Sequence, residues 1–206
     1  MPYIDITPEA RVDIALAINL CPVEISGIGE VVCEGDVYHI TEAILFPQQC
    51  YYDHTTFDQE AFGRYAHDLN KKRVATRSPS GMNTKRLWWH SHVWGRARFS
   101  STDTGYMEKF GKDTLPQFNP YLISIVGNKH GNLTTRLDVF KPVYWAEYFA
   151  LPLSDPSWTL GMLQDLYQER MPRMMELIDK MVTIKPGGLL GTWGLDEYSS
   201  REKKND

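Results

Sequence analysis

Apolar residues recur along the first two-thirds of the chain with two different periods. Thr7-Pro8-Glu9 opens the helically spaced stretch "EARVDIALAINL". Thr can cap a helix, Pro suits its first position and Glu favours its first turn. Cys21-Pro22 ends it. "VEISGIGEVVCEGDVYHITEAILF" then alternates and is rich in β-branched residues, with a turn at Glu34-Gly35-Asp36, which predicts a two-stranded hairpin. Pro47 to Thr56 reads as a loop. "FDQEAFGRYAHDLNKKR" places Phe57, Ala61, Phe62, Tyr65, Ala66 and Leu69 at helical spacing and ends in basic residues, as a helix dipole favours. "VATRSPSGMNTK" is a loop, "RLWWHSHVW" a strand, and "STDTGYMEKFGK" a short helix closed by Gly111. "PYLISIVGN" and "LTTRLDVFKP" are two more strands joined through Asn128 to Asn132. The order predicts an α/β or α+β sheet flanked by helices.

From Pro142 the pattern changes. "WTLGMLQDLYQERMPRMMELIDKMV" is helical, with an interruption expected at Pro172. It holds Met162, Met171, Met174, Met175 and Met181. Such methionines can make an adaptable partner surface, but a helix pair packed on the sheet is the preferred reading. "IKPGGLLGTWG" is a glycine-rich turn without the phosphate-loop pattern, and "SSREKKND" reads as a frayed tail. The expected organisation is one domain over residues 1–141 and a helical extension over 142–206, packed on it.

Composition narrows the classes of function. The chain has 206 residues, 42% hydrophobic and 23% charged, which describes a globular protein with a real core. The net charge of -4 gives no general basic surface, so nucleic acid is not an expected partner. Cys21, Cys33 and Cys50 are odd in number and lack a Cys-x-x-Cys spacing, which points to reduced thiols rather than a disulfide framework. The N-terminal stretch carries acids and no cationic, then apolar, leader pattern. No run approaches the roughly 18 apolar residues of a membrane span. The cytoplasm is the expected location, and oligomeric state is left undefined.

The chemistry gathers in "WWHSHVWGRARFSSTD", Trp88 to Asp103. In a strand, residues two apart share a face, so His90 and His92 project together while Ser91 points the other way. Two neutral imidazoles suit zinc, and Asp103 can supply a third ligand while a fourth position stays open, as in catalytic zinc sites. Ser100-x-x-Asp103 is equally the pattern of a helix capping box, and the two readings are compatible. Hydrolysis at such a site also needs a carboxylate to move a proton. Glu24, opening an apolar strand and followed by Gly27 and Gly29, is the candidate; a solvated strand end is the alternative.

Glu24 with Ser-Gly-Ile-Gly after it, then His90-Ser91-His92, seven residues, and Ser100-x-x-Asp103, resembles the JAMM motif of the MPN+ (JAB domain) zinc metallopeptidases. The element order over about residues 1–140 is similar to that family as well. The resemblance implies a cytidine-deaminase-like three-layer α/β/α sandwich with a mixed central sheet. It implies one catalytic Zn2+ on His90, His92 and Asp103, Glu24 as general acid/base, and Ser100 as a hydrogen-bond donor to the oxyanion. The implied reaction is hydrolysis of an amide or isopeptide bond at the extended C-terminal tail of a ubiquitin or ubiquitin-like protein. In that family Pro usually follows the second His. Here Val93 stands there, and it is expected to prolong the strand. Trp94 is a candidate pocket wall beside Trp88 on the histidine face, and Arg96 and Arg98 are candidate substrate contacts; a solvated rim is the competing reading for the arginines.

Two other functions fit parts of the pattern. A non-catalytic scaffold would place function in the C-terminal helices and leave the cluster structural. A non-haem iron enzyme would also use two His and a carboxylate, but leaves Glu24 and Ser100 without a role.

Overall fold

The computed structural model describes residues 1–76, 84–113 and 121–186, without the side chains of 110–113. Strand β1 (Tyr3–Ile6) leads into helix α1 (Pro8–Leu20), which starts where the sequence predicts. Thr7 Oγ1 accepts the Ala10 N–H at 3.3 Å, Pro8 opens the first turn, and the Cys21 N–H closes the helix on Ala17 O. The predicted hairpin is β2 (Ser26–Glu34) and β3 (Val37–Leu45), turning through Gly35 at φ 64°, a left-handed conformation that glycine adopts without strain.

Pro47 to Thr56 is not a plain loop. It contains β4 (Gln48–Cys50) and the start of β5 (Thr55–Phe57). These strands form a small second sheet with β10 (Val182–Ile184), in the order β10-β4-β5. Such strands of three residues are too short to show a period, and β10 reaches β4 from more than a hundred residues away.

Helix α2 (Gln59–Thr76) follows, then β6 (Lys85–Ser91), α3 (Ser101–Asp113), β7 (Tyr121–Gly127), β8 (Leu133–Val139) and β9 (Trp145–Phe149). Helix α3 runs past Gly111 to Asp113. The main sheet has seven strands in the order β1-β3-β2-β6-β7-β8-β9. It is mixed: β1–β3 and β6–β7 are parallel and the other pairs antiparallel. The main sheet therefore continues through β9, beyond residue 141, and β9 forms its outer edge.

Helix α4 (Leu160–Met181) is one helix that runs through Pro172 rather than stopping there. Tertiary packing outweighs the local penalty of the proline. Its apolar side, including Leu163, Leu166, Met171, Met174 and Leu177, packs into the core with α1. Arg170 adds a two-pronged pairing with Asp13 at 2.7 and 2.6 Å. Met162 and Met175 stay exposed. Helix α1 is thus covered on two sides, by the sheet and by α4, which explains buried residues at Ala10, Val12, Ile14, Leu16, Ala17 and Ile18 instead of a single stripe. On β8, Leu137 faces this core, whereas its neighbour Arg136 reaches Thr104 of α3. Helices therefore lie on both faces of the sheet. Most of "VATRSPSGMNTK" and the glycine-rich turn and tail after Pro186 lie outside the described residues. Among the described residues, no helix is long and apolar enough to cross a membrane.

Candidate metal centre

The site is built at the end of β6, where its parallel neighbour β7 also ends. The ladder pairs His90 with Ser26 on one side and with Val126 on the other, and its last β6–β7 position is Ser91 with Gly127. The His92 N–H then donates to Gly127 O at 2.8 Å, which prolongs the sheet geometry one step past the strand. His90 and His92 consequently share a side, and their Nε2 atoms lie 3.2 Å apart. Asp103, in the first turn of α3, brings Oδ1 to 3.4 Å from His90 Nε2 and Oδ2 to 3.4 Å from His92 Nε2. These three residues offer donor atoms within 4.8 Å of one another and could hold a metal ion.

Local structure fixes each ligand. His90 is buried, with Trp88 stacked on it at 4.5 Å and Phe99 at 5.9 Å. Burial lowers the His90 pKa, which favours the neutral, ligating form. His92 lies 3.3 Å through Nδ1 from the Arg96 carbonyl, a contact that protonates Nδ1 and leaves the Nε2 lone pair facing the cluster. The hydrogen bond to Asp103 raises the His92 pKa. Burial alone would raise the Asp103 carboxyl, but His90, His92 and Ser100 hold it far below the usual carboxylate range.

Ser100 and Asp103 form a reciprocal cap. The Asp103 N–H donates to Ser100 Oγ at 3.1 Å, and both the Ser100 N–H and its Oγ donate to Asp103 Oδ2 at 2.7 Å. The cap and the ligand cluster therefore use the same carboxylate, and as placed Ser100 orients Asp103.

Glu24 does not open a strand; it sits in the connecting segment two residues before β2. Its N–H donates to Tyr51 O at 3.0 Å, just after β4. Burial pushes its carboxyl up to about 7, while His92 pulls it down and Asp103 and Asp53 push it further up. The glycines after Glu24 have a packing role. A Cβ on Gly27 would lie 2.3 Å from the Trp89 ring and from Ile44 O, and one on Gly29 2.1 Å from Glu42 O.

Sequence reasoning missed three positioning residues. Ser91, on the other face of β6, accepts the Ile25 N–H at 3.0 Å through Oγ and donates its own N–H to Ile25 O at 2.9 Å. It clamps the residue next to Glu24. Buried Gln48 bonds the Ser26 N–H and carbonyl at 3.1 and 2.8 Å. Buried Asn128 donates to Gly95 O at 2.8 Å and accepts the His130 and Asn132 N–H groups, each at 3.1 Å. Ser91 was legible as the outward member of His-Ser-His; the reach of Gln48 and Asn128 had no local signal.

Val93 does not prolong the strand. β6 ends at Ser91, Gly95 N–H closes a turn on His92 O at 2.7 Å, and the Val93 side chain is buried. Trp94 leaves the histidine side. It is 61% exposed, meets His130 at 5.7 Å and has Lys129 Nζ 5.6 Å from its ring. Arg96 and Arg98 line a shallow depression of about 420 Å³ beside the cluster, with His92, Phe99, Ser100 and Ser101.

No protein-family model and no curated protein matches the sequence. Among solved structures, the chain is similar to the solution structure of protein DSY2949 from Desulfitobacterium hafniense. The TM-score is 0.49 at 16% identity, covering 74% of this chain and 93% of that one.

Proposed function

We propose that the protein is a zinc metallopeptidase of the JAMM/MPN+ type, built on a cytidine-deaminase-like α/β/α sandwich. Its proposed reaction is hydrolysis of an amide or isopeptide bond at the extended C-terminal tail of a ubiquitin or ubiquitin-like protein. The observation that carries this reading is the convergence of His90, His92 and Asp103, with the backbone next to the partly buried Glu24 clamped to Ser91, the residue between the two histidines. The mixed sheet with helices on both faces supports the fold assignment.

The donor set fits the cation. Two imidazoles with inward Nε2 atoms and one carboxylate suit zinc, and three protein ligands leave room for chemistry. Zinc held there supplies Lewis acidity, polarising a carbonyl and lowering the pKa of water towards about 7. The protein's part is to position and to move protons. Glu24 as carboxylate takes a proton from the attacking water, and as acid gives it to the leaving amine. Burial, which raises the Glu24 carboxyl in the metal-free chain, favours the acid half of that task. Ser100 holds Asp103 in its ligating orientation and sits at the lip of the cleft; its hydroxyl donates to Asp103, so a role towards a substrate oxygen requires it to turn from that carboxylate. Arg96 and Arg98 bind substrate carbonyls or carboxylates at the same lip.

The test is hydrolysis of an isopeptide-linked ubiquitin-like conjugate, with and without chelator. Chelation is expected to abolish cleavage. Glu24→Gln is expected to slow it by about 10²–10⁴-fold with zinc content unchanged. Full activity in either condition would overturn the assignment.

A further inference from the structure

A second depression, of about 410 Å³, lies beside the metal cleft and is lined by Trp94, Arg96, Ala97, Asn128, His130 and Asn132 among others. Arg96 lines both depressions and so stands on the ridge between them. The walls come from two loops, residues 92–100 after β6 and 128–132 after β7. Their ionisable side chains are Arg96, Arg98, Lys129, His130 and the cluster's own His92, and neither loop contains an acid. That is a local concentration of positive charge on a chain whose net charge is -4. Among the described residues, no carboxylate pairs with Arg96 or Arg98.

The two loops are also held rigid. Asn128 ties Gly95 to His130 and Asn132, Lys129 N–H donates to Val93 O at 2.9 Å, and Thr134 Oγ1 donates to Ala97 O. A basic surface fixed in this way binds an anion without the entropic cost of ordering a loop. Its aromatic floor, Trp94 under the Lys129 ammonium, offers packing for a side-chain stem.

We propose that the Trp94–His130 depression is a second subsite, which takes a carboxylate carried by the same extended peptide whose amide bond lies at the metal cluster. The substrate class becomes a tail with an acidic residue, or a free C-terminus, a few residues from the bond cut, since the two depressions share Arg96 as a wall. Arg96 supplies the charge that lines the subsite and directs the peptide from one depression to the other; Lys129, over the Trp94 ring and donating to Asn19 O at 3.4 Å, adds positive charge from beside it. The inference rests on the peptidase reading for its orientation, but its test does not need cleavage.

The test is fluorescence anisotropy of the zinc-loaded Glu24→Gln protein with three fluorescein-labelled hexapeptides. One is neutral and amidated, one neutral with a free C-terminus, and one amidated with a single Glu. A carboxylate-bearing peptide is expected to bind about tenfold more tightly than the neutral one, with the preference falling as salt rises. Arg96→Gln and Lys129→Gln are each expected to erase most of that preference with zinc content retained. Arg96→Glu is expected to turn it towards a lysine-bearing peptide. Which carboxylate probe gains decides between an internal acid and a chain end. Equal binding of all three peptides, or a preference that survives Arg96→Gln with Lys129→Gln, overturns the subsite. Retained preference without conjugate hydrolysis would instead overturn the peptidase and leave the subsite standing.

Discussion

Glu24 carries an energetic cost that can be read through pH. In the folded chain its carboxyl is pushed from the ordinary 4.5 up to about 7, chiefly by burial. Between those values the folded protein keeps a proton that the unfolded chain has released, so this residue destabilises the fold increasingly as pH rises from 4.5 to 7. Glu24→Gln removes the effect. In chelated protein the variant is expected to gain stability relative to wild type across that window and hold the gain above it, as measured by urea unfolding on both sides. Ser91 tests the clamp beside it. Ser91→Ala leaves the Ile25 N–H without its acceptor inside the protein, with an expected loss of about 1–3 kcal/mol by denaturant unfolding and slower cleavage at unchanged zinc content. The ligand residues themselves were readable from sequence because a period of two and a cap motif are local. The clamp was half readable: Ser91 was seen to point away, but its partner lies 66 residues back.

Among the elements, β2 shows how a pattern can be right for another reason. Gly27 and Gly29 drew attention as company for an acid, and they are in fact where Trp89 and Leu87 lie against the backbone. Gly27→Ala would drive a methyl group into both the Trp89 ring and a main-chain oxygen. A loss of about 3 kcal/mol or more is expected, seen as a large drop in Tm or failure to fold. Long elements with a clear period, α1, β2, β3, α2 and β7, appear close to where the sequence put them. The short strands β4, β5 and β10, and the edge strand β9, do not announce themselves. Their pairing is decided by distant partners rather than by their own residues.

For the whole molecule, the C-terminal chain belongs to the packing that supports the site. Helix α4 covers α1, α1 covers the sheet, and β10 joins β4, whose following residue Tyr51 holds the Glu24 backbone. That the C-terminal helical chain packs on the rest was expected from the sequence; that it does so through α1, and that β10 joins β4, was not, because both depend on contacts across most of the chain length. A metal ion bound only by the folded state must stabilise all of it. Zinc at about 100–1,000 times its Kd is expected to add roughly 3–4 kcal/mol and raise Tm in calorimetry. His92→Ala should blunt that response.

One strand end therefore carries two jobs on two faces: His90 and His92 on one, Ser91 on the other. This arrangement makes the protein unequally tolerant of length changes. One residue inserted within β6 before Leu87 would swap the faces, sending the imidazoles into the layer under α1 and freeing Ile25, so that zinc binding and the Glu24 clamp vanish together. The same insertion after Ala97 would leave both histidines and Glu24 in place and displace Asp103 together with its cap Ser100. Zinc content and Tm of two such variants should separate accordingly, with the β6 insertion far more damaging. Variation in loop length among relatives is then expected after β6 and not within it.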